Sequence, residues 1–262
     1  MTLPLKTSVL YGPVNSRRYG RSLGINLSPC RYKECSFNCV YCHYGLTDKI
    51  TLNTNGHDDG YTECADVIEQ LQDTLESPLE IDLITFSGNG EPTLHPDFPK
   101  MVDAVVELRD RYRPGAKTAL LSNSTGLYRE EVRRSVAEID LPVFKLDAGT
   151  ERTFMRINRP AKGVSFESIV EHLANLDGIY VQTVCIDGEP SNTHPDEMIA
   201  YYERLQTIQP RGVHLYSTDR PVPSSSISRV DPEWLEDIAS QITSETGVPA
   251  AAYSNGKKRL GA

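Results

Sequence analysis

The sequence predicts an α/β fold in which helices cover a parallel sheet. Short apolar runs rich in β-branched residues recur along the chain, and stretches with the apolar spacing of amphipathic helices separate them. This alternation requires parallel strands joined by helical crossovers, and such a sheet either lies open or curls into a full or partial barrel. Cysteine-rich, glycine-rich and polar motifs follow several predicted strands, where both architectures place their chemistry.

Strands and helices are predicted in alternating order along most of the chain. The strands are expected over 22–27, 81–86, 117–122, 143–148, 180–186 and 213–217. The helices are expected over 61–77, 97–112, 128–139, 165–176, 194–208 and 231–247.

The last predicted helix carries clear signals at both ends. Asp231 is placed as its N-cap, Pro232 in its first turn and Gly247 as its terminator. Trp234, the sole tryptophan, is expected to pack this helix onto the core.

Length and composition favour one globular domain and limit the partners it can bind. At 262 residues the chain fits a single α/β domain. It has no apolar run near the roughly 20 residues of a membrane helix. The first residues lack the features of a secretion signal, so we expect a cytoplasmic protein with no membrane partner. The net charge of −9 does not favour RNA as a partner.

Three of the six cysteines fall within the stretch CSFNCVYC at 35–42. The others, Cys30, Cys64 and Cys185, are scattered, which is not typical of a disulfide framework. The spacing C-x3-C-x2-C allows one loop to hold either of two metal groups. Structural zinc is four-coordinate and would need His43, Cys30 or a distant residue as its fourth ligand. A [4Fe–4S] cluster normally takes four thiolates, so three would leave one iron open to a ligand from outside the protein.

The surroundings of these cysteines resemble those of the radical S-adenosylmethionine (SAM) superfamily. The triplet Cys35, Cys39 and Cys42 follows a predicted strand, Tyr41 precedes the last cysteine, and the next strand ends in SGNGEP at 87–92. The resemblance implies a partial (β/α)6 TIM-like barrel as a single domain. Its core is expected at about 20–220 and a C-terminal helical extension at about 221–262.

The resemblance also implies the chemistry. The three cysteines would ligate one [4Fe–4S] cluster, and the open iron would be chelated by the amino and carboxylate groups of SAM. Reductive cleavage of SAM would give methionine and a 5′-deoxyadenosyl radical that abstracts hydrogen from a substrate. An electron donor of the flavodoxin or ferredoxin type is the implied partner, and no catalytic residue is assigned beyond the cluster.

Contacts to SAM follow from the same resemblance. The ring of Tyr41 would lie beside the adenine, and the edge GNGE would receive the methionine amino group, with close backbone approach at its glycines. Polar residues at the ends of the third and fourth strands would bind the ribose or the carboxylate. The expected cofactor-binding residues are Tyr41, Gly88, Asn89, Gly90, Glu91, Ser122, Asn123 and Asp147.

Three further stretches narrow the resemblance to a family. GPVNSRRYGRSLGIN (12–26), RINRP (156–160) and HLYSTDRPVP (214–223) resemble small bacterial and archaeal radical SAM proteins related to the wyosine-forming tRNA enzyme. Wyosine formation implies an RNA base and pyruvate, and archaeal enzymes of that type carry a second cluster on three further N-terminal cysteines. Only Cys30 precedes the triplet here.

Basic and amide side chains near the predicted strands are candidates for binding the substrate. Arginines that converge there would suit a phosphate, a carboxylate or a nucleic-acid backbone, whereas ion pairing between loops is the alternative. The expected substrate is an RNA base or another anionic nucleotide-like molecule. Modification or activation of a protein or peptide partner is a second hypothesis, and a zinc-stabilised binding protein is the non-enzymatic one. The candidate substrate residues are Arg17, Arg18, Arg21, Asn158, Arg159 and Arg220.

Overall fold

The chain is built from twelve strands and seven α-helices within the residues that the structure describes. A computed structural model describes residues 2–16, 20–52 and 60–254. The strands are β1 (Leu10–Ser16), β2 (Gly20–Ile25), β3 (Glu34–Cys35), β4 (Lys49–Ile50), β5 (Leu83–Phe86), β6 (Lys117–Ser122), β7 (Leu141–Lys145), β8 (Tyr180–Val184), β9 (Ile186–Gly188), β10 (Gly212–Tyr216), β11 (Ile227–Arg229) and β12 (Ala250–Tyr253). The helices are α1 (Cys64–Glu76), α2 (Phe98–Tyr112), α3 (Glu130–Val136), α4 (Glu151–Ile157), α5 (Phe166–Ala174), α6 (Pro195–Ile208) and α7 (Pro232–Thr246). None of these helices is both long and apolar enough to cross a membrane.

Eight strands form one curled half-barrel sheet in the order β1-β2-β5-β6-β7-β8-β10-β12. The six predicted strands pair in parallel as its central part, and each predicted helix lies in a connection between two strands of the sheet. The prediction of a partial (β/α)6 barrel is therefore confirmed.

Both edge strands of the main sheet, the helix α4 and the short strands β3, β4, β9 and β11 were not predicted. β1 pairs antiparallel with β2, and β12 pairs parallel with β10. The sequence of β1 contains a glycine and a proline, and that of β12 is mostly alanine, so neither has the composition of a strand. Because β12 joins the main sheet, the C-terminal extension is not only helical as expected. The short helix α4 begins at Thr150, whose hydroxyl accepts a hydrogen bond from Thr153 N.

The inner face of the half-barrel carries a small apolar cluster of its own. Leu83, Ala119 and Leu141 form a small apolar cluster with Tyr180, and all four lie near the beginnings of their strands. The main core lies on the other face, where Phe86 of β5 meets Phe98 of α2 edge to face at 5.6 Å between ring centres. The small apolar cluster of the inner face thus lies toward the amino ends of the strands.

Helix α7 packs on the sheet without its tryptophan. Leu235, Ile238 and Ile242 are buried on one side of the helix, whereas Trp234 is 40% exposed. The prediction that Trp234 anchors this helix is wrong, because Trp234 lies on the other side. The predicted end signals are confirmed, since Asp231 accepts from Glu233 N at 2.8 Å and Gly247 has a φ of +73°.

Two substitutions in α7 should therefore differ sharply in their effect on stability. Ile238→Ala removes a buried side chain and is expected to lower the free energy of unfolding by about 2–5 kcal/mol. Trp234→Ala is expected to cost about 1 kcal/mol or less because the residue is partly solvated. Urea unfolding followed by circular dichroism measures both, and a larger loss for Trp234→Ala would contradict this packing.

Candidate active site

A cavity of about 440 Å³ opens at the carboxyl ends of the parallel strands. Its walls contain the thiols of Cys35, Cys39 and Cys42 together with residues from the ends of β5, β6, β7, β8 and β10. Cys30 and Cys185 are not among the residues that line it. The structure thus brings the cysteine triplet and the predicted strand-end motifs to one place.

The loop that carries the cysteines is held by local contacts. Cys42 N donates to Cys39 O at 3.2 Å, which closes a tight turn between the last two cysteines. The side chain of Asn38 accepts from Thr47 N at 2.8 Å, and the Thr47 hydroxyl donates to Phe37 O at 2.7 Å. These contacts give the loop a defined shape although it contains little regular secondary structure.

The RINRP stretch (156–160) holds the same loop through backbone hydrogen bonds. Asn38 N donates to Asn158 O at 2.9 Å, and Val40 N donates to Ile157 O at 3.0 Å. Arg159 has a φ of +45°, and its carbonyl accepts from Asn38 N at 3.2 Å. Asn158 is only 1% exposed, so it lies beneath the cysteine loop and not on a substrate-facing loop as expected.

Hydrogen-bond donors point at two of the three sulfurs. The Asn123 side-chain nitrogen lies 3.5 Å from Cys35 Sγ, and Phe37 N lies at the same distance from that sulfur. The Asn158 side-chain nitrogen lies 3.4 Å from Cys39 Sγ. These contacts would stabilise negative charge on the sulfurs, as a metal-bound thiolate requires.

Burial opposes the ionised form of the same thiols. Burial raises the pKa of Cys35 to about 12, and the Glu91 carboxylate adds to this effect. Burial raises the pKa of Cys39 to about 11, with the charge of Lys145 acting in the opposite direction. A bound cationic group would therefore have to displace these protons, as metal binding to cysteine does.

The donor set fits an iron–sulfur cluster. Within the described ranges, no three His, Cys, Asp or Glu side chains converge on a point where one metal ion could sit. In a [4Fe–4S] cluster each cysteine binds a different iron, so the thiols need not converge on one point. Three soft thiol donors on one loop, facing one cavity, are the ligands that such a cluster uses.

The two glycines of GNGE are required by packing within the protein. A Cβ atom at Gly88, whose φ is +142°, would lie 2.2 Å from Asn26 Oδ1. A Cβ atom at Gly90 would lie 1.8 Å from the Glu34 carbonyl oxygen, next to the first cysteine. Both residues line the cavity, but the close approach that they allow is to the cysteine loop and the segment before it.

Glu91 is the centre of a buried hydrogen-bond network. Its carboxylate accepts from the Ser122 hydroxyl at 2.8 Å, from Asn123 N at 2.6 Å and from the Thr93 N and hydroxyl at 3.1 and 2.6 Å. Burial raises the pKa of this carboxyl group, and the hydrogen bonds oppose that effect. Asn89 is likewise buried and bonded to backbone groups of the N-terminal segment. These residues line the cavity and are already bonded to protein groups.

Asp147 does not line the cavity, whereas its neighbour Lys145 does. The Asp147 carboxylate is buried and accepts from the Tyr41 hydroxyl and from the Asn158 side chain. Lys145 Nζ lies 3.9 Å from Asp147 Oδ2 and 5.1 Å from the centre of the Tyr41 ring. Lys145 was not predicted as a site residue, although a lysine within an apolar strand is a usable signal.

The predicted arginines that the structure describes do not converge. Arg21 lies at the amino ends of the strands, where it pairs with Glu80 and with Asp82 at 2.7 Å, so it faces away from the cavity. Arg220 lines a second chamber of about 300 Å³ that shares Tyr11, Ser87, Leu121 and Tyr216 with the first cavity. Arg17 and Arg18 lie outside the described residues.

The family of the chain follows from its sequence over this region. Residues 31–195 match the radical SAM superfamily. This chain belongs to the radical SAM superfamily. The matched range contains the cysteine loop and the ends of β5, β6, β7 and β8. The cofactors of this radical SAM protein are accordingly a [4Fe–4S] cluster and SAM.

Relatives of this radical SAM protein include chains of different length. A UPF0026 protein of Synechocystis is 31% identical over 265 residues, and the match covers 92% of this chain and 94% of the relative. A Brachyspira hyodysenteriae protein named GTPase Obg is 30% identical over 235 residues, covering 88% of this chain. The match spans 33% of that protein, so this chain corresponds to about a third of its length.

Solved structures of other radical SAM proteins share the fold. TYW1 with a lysine–pyruvate adduct bound has a TM-score of 0.64 at 16% identity, covering 91% of this chain and 78% of the other. Streptococcus suis SuiB bound to S-adenosylmethionine has a TM-score of 0.63 at 14% identity, covering 85% and 49%. These likenesses concern the architecture, which is the half-barrel described above.

Replacing Glu91 should destabilise the protein. Glu91→Gln removes an acceptor oxygen from a buried network and is expected to lower the free energy of unfolding by about 1.5–3 kcal/mol. Glu63→Gln, on the exposed start of α1, is a matched control and should change it by about 0.5 kcal/mol or less. Urea unfolding measures both. Unchanged stability together with weaker SAM binding by Glu91→Gln would instead make Glu91 a direct ligand of SAM.

Proposed function

We propose that Cys35, Cys39 and Cys42 ligate a single [4Fe–4S] cluster, and that the protein cleaves SAM reductively in the adjoining cavity. The observation that supports this proposal is that the three thiols and the ends of the parallel strands line one cavity. The cluster would supply the electron that converts SAM to methionine and a 5′-deoxyadenosyl radical, which abstracts hydrogen from the substrate. A small electron carrier of the flavodoxin or ferredoxin type is the proposed donor.

The remaining walls of the cavity provide groups suited to SAM. Tyr41 presents an aromatic ring, and Lys145 presents a cationic amine beside it. An aromatic ring can contact a purine, and an ammonium group can pair with a carboxylate. Phe37, Leu121 and Val143 make other parts of the wall apolar, which favours exclusion of water from a reactive radical.

The ligand assignment can be tested by metal content and by product. Anaerobically reconstituted protein is expected to contain about four irons per chain. With dithionite and SAM it should form 5′-deoxyadenosine, detected by chromatography. Cys39→Ala should lose both the iron and the product. Cys185→Ala is the matched control, because this thiol is also buried but lies outside the cavity, and it should retain both.

Three other outcomes would contradict the proposal. Full iron content in Cys39→Ala would exclude this residue as a ligand. One zinc per chain with no 5′-deoxyadenosine would support the zinc-stabilised binding protein. About eight irons would indicate a second cluster, as in the wyosine-type enzymes, and would exclude a single-cluster mechanism.

For the substrate, we propose a small anionic molecule of nucleotide-like chemistry that is held by Arg220. Arg220 is exposed and lines the second chamber, which shares four wall residues with the first cavity. Tyr44 lies in the wall of the first cavity. Burial raises the pKa of Tyr44, and the nearby charge of Arg220 lowers it. A chamber of about 300 Å³ suits a small ligand, and the net charge of −9 does not favour a large polyanion.

Loss of Arg220 should weaken the response to an anionic ligand and leave SAM cleavage intact. Nucleoside 5′-monophosphates are the probe, and stimulation of 5′-deoxyadenosine formation is the readout. Arg220→Ala is expected to raise the concentration for half-maximal stimulation about 10–100-fold, as for loss of a charged hydrogen bond. Arg134→Ala, an exposed arginine of α3, should behave as wild type. Equal stimulation by neutral nucleosides, or stimulation by peptides alone, would contradict the proposal.

A further inference from the structure

We propose that Asn158, held in place by Asp147, raises the reduction potential of the cluster through a hydrogen bond to the sulfur of Cys39. The inference rests on the proposed ligation of the cluster by Cys39. The sequence predicted that Asn158 binds the substrate and that Asp147 binds SAM. In the structure both side chains lie behind the cysteine loop.

The geometry defines which side of the Asn158 amide faces the sulfur. The nitrogen Nδ2 lies 3.4 Å from Cys39 Sγ and 2.7 Å from Asp147 Oδ2. The sulfur of a cluster-bound cysteine only accepts hydrogen bonds, and Asp147 Oδ2 already accepts from the Tyr41 hydroxyl, so the NH2 group and not the oxygen must point at them. Asn158 is therefore a hydrogen-bond donor to Cys39.

The oxygen of the Asn158 amide shows that this orientation is energetically unfavourable for the amide itself. Asn158 is 1% exposed, and its oxygen Oδ1 has no hydrogen-bond partner among the described residues. A buried polar atom without a partner is unfavourable by about 1–3 kcal/mol. Such atoms are uncommon in folded proteins and call for an explanation, one of which is a redox role. We infer that the amide is retained for its contact with the sulfur.

Asp147 holds the amide at a fixed position relative to the sheet. Its carboxylate is buried, its Oδ1 accepts from Val184 N at 2.9 Å, and its Oδ2 accepts from Tyr41 and from Asn158. The arrangement resembles the carboxylates that orient metal-binding histidines from behind. A carboxylate behind the amide also increases the polarity of its N–H groups.

The effect on the cluster follows from charge. One-electron reduction from [4Fe–4S]2+ to [4Fe–4S]1+ adds negative charge that is shared with the cysteine sulfurs. A hydrogen bond to a sulfur stabilises the more negative state, so it raises the potential. Asn158 would thus make the cluster easier for its electron donor to reduce, and no bond is formed or broken in this step.

The test is a mediated redox titration with dithionite on reconstituted protein, followed by electron paramagnetic resonance. Asn158→Leu removes the donor at similar volume, and Asn158→Ala removes it with less bulk. We expect each variant to keep its iron and to reduce about tenfold less favourably, a shift of about 59 mV to lower potential. The matched control is Asn192→Ala, a buried asparagine that bonds to the Asp147 carbonyl at 2.8 Å but makes no hydrogen bond to a cysteine sulfur among the described residues. Its potential should equal that of wild type.

Each other outcome has a defined meaning. An unchanged potential in an iron-loaded Asn158→Leu or Asn158→Ala variant overturns this inference and leaves the ligand assignment intact. Loss of iron from both variants, with full iron in Asn192→Ala, makes Asn158 a structural residue and also overturns it. Full iron in Cys39→Ala overturns the ligand assignment itself, which distinguishes failure of the proposed function from failure of this inference.

Discussion

The site depends on backbone hydrogen bonds that hold a loop with little regular structure. A loop that presents three thiols to one cavity cannot have its shape defined by a long strand or helix. Here the amides of Asn38 and Val40 bond to the carbonyls of 157 and 158, and Ala161 N returns a bond to Ser36 O at 2.8 Å. Because this partner segment follows α4, the position of the cysteines depends on a connection more than one hundred residues further along the chain.

Two buried carboxylates, Glu91 and Asp147, hold residues that surround the cavity. Glu91 joins the end of β5 to the end of β6, and Asp147 joins the residues after β7 to the cysteine loop. Each is surrounded by hydrogen-bond donors, which compensates for the loss of water around a buried charge. The side chains that face the cavity are thereby held in defined orientations before any ligand binds.

Sequence patterns predicted the elements that are long and periodic and missed those that depend on their neighbours. The central strands and the main helices follow from local apolar spacing, which packing then reinforces. The edge strand β12 is an alanine-rich segment, and it forms a strand because its backbone pairs with the edge of β10. Trp234 was predicted to pack α7 onto the core, but the face of α7 that meets the sheet is formed by Leu235 and Ile238.

The sequence by itself determined the superfamily chemistry, because three thiols at fixed spacing and a glycine-rich strand end lie within short stretches of chain. The tertiary structure alone decided which polar residues face the cavity. Asp147 and Asn158 are next to motif residues in sequence, yet both lie behind the cysteine loop, while Lys145 faces the cavity. The reason is that β7 ends at Lys145, so the strand geometry that directs Lys145 into the cavity does not extend to Asp147. The Asp147 carboxylate is instead held by Val184 N and by the side chains of Tyr41 and Asn158.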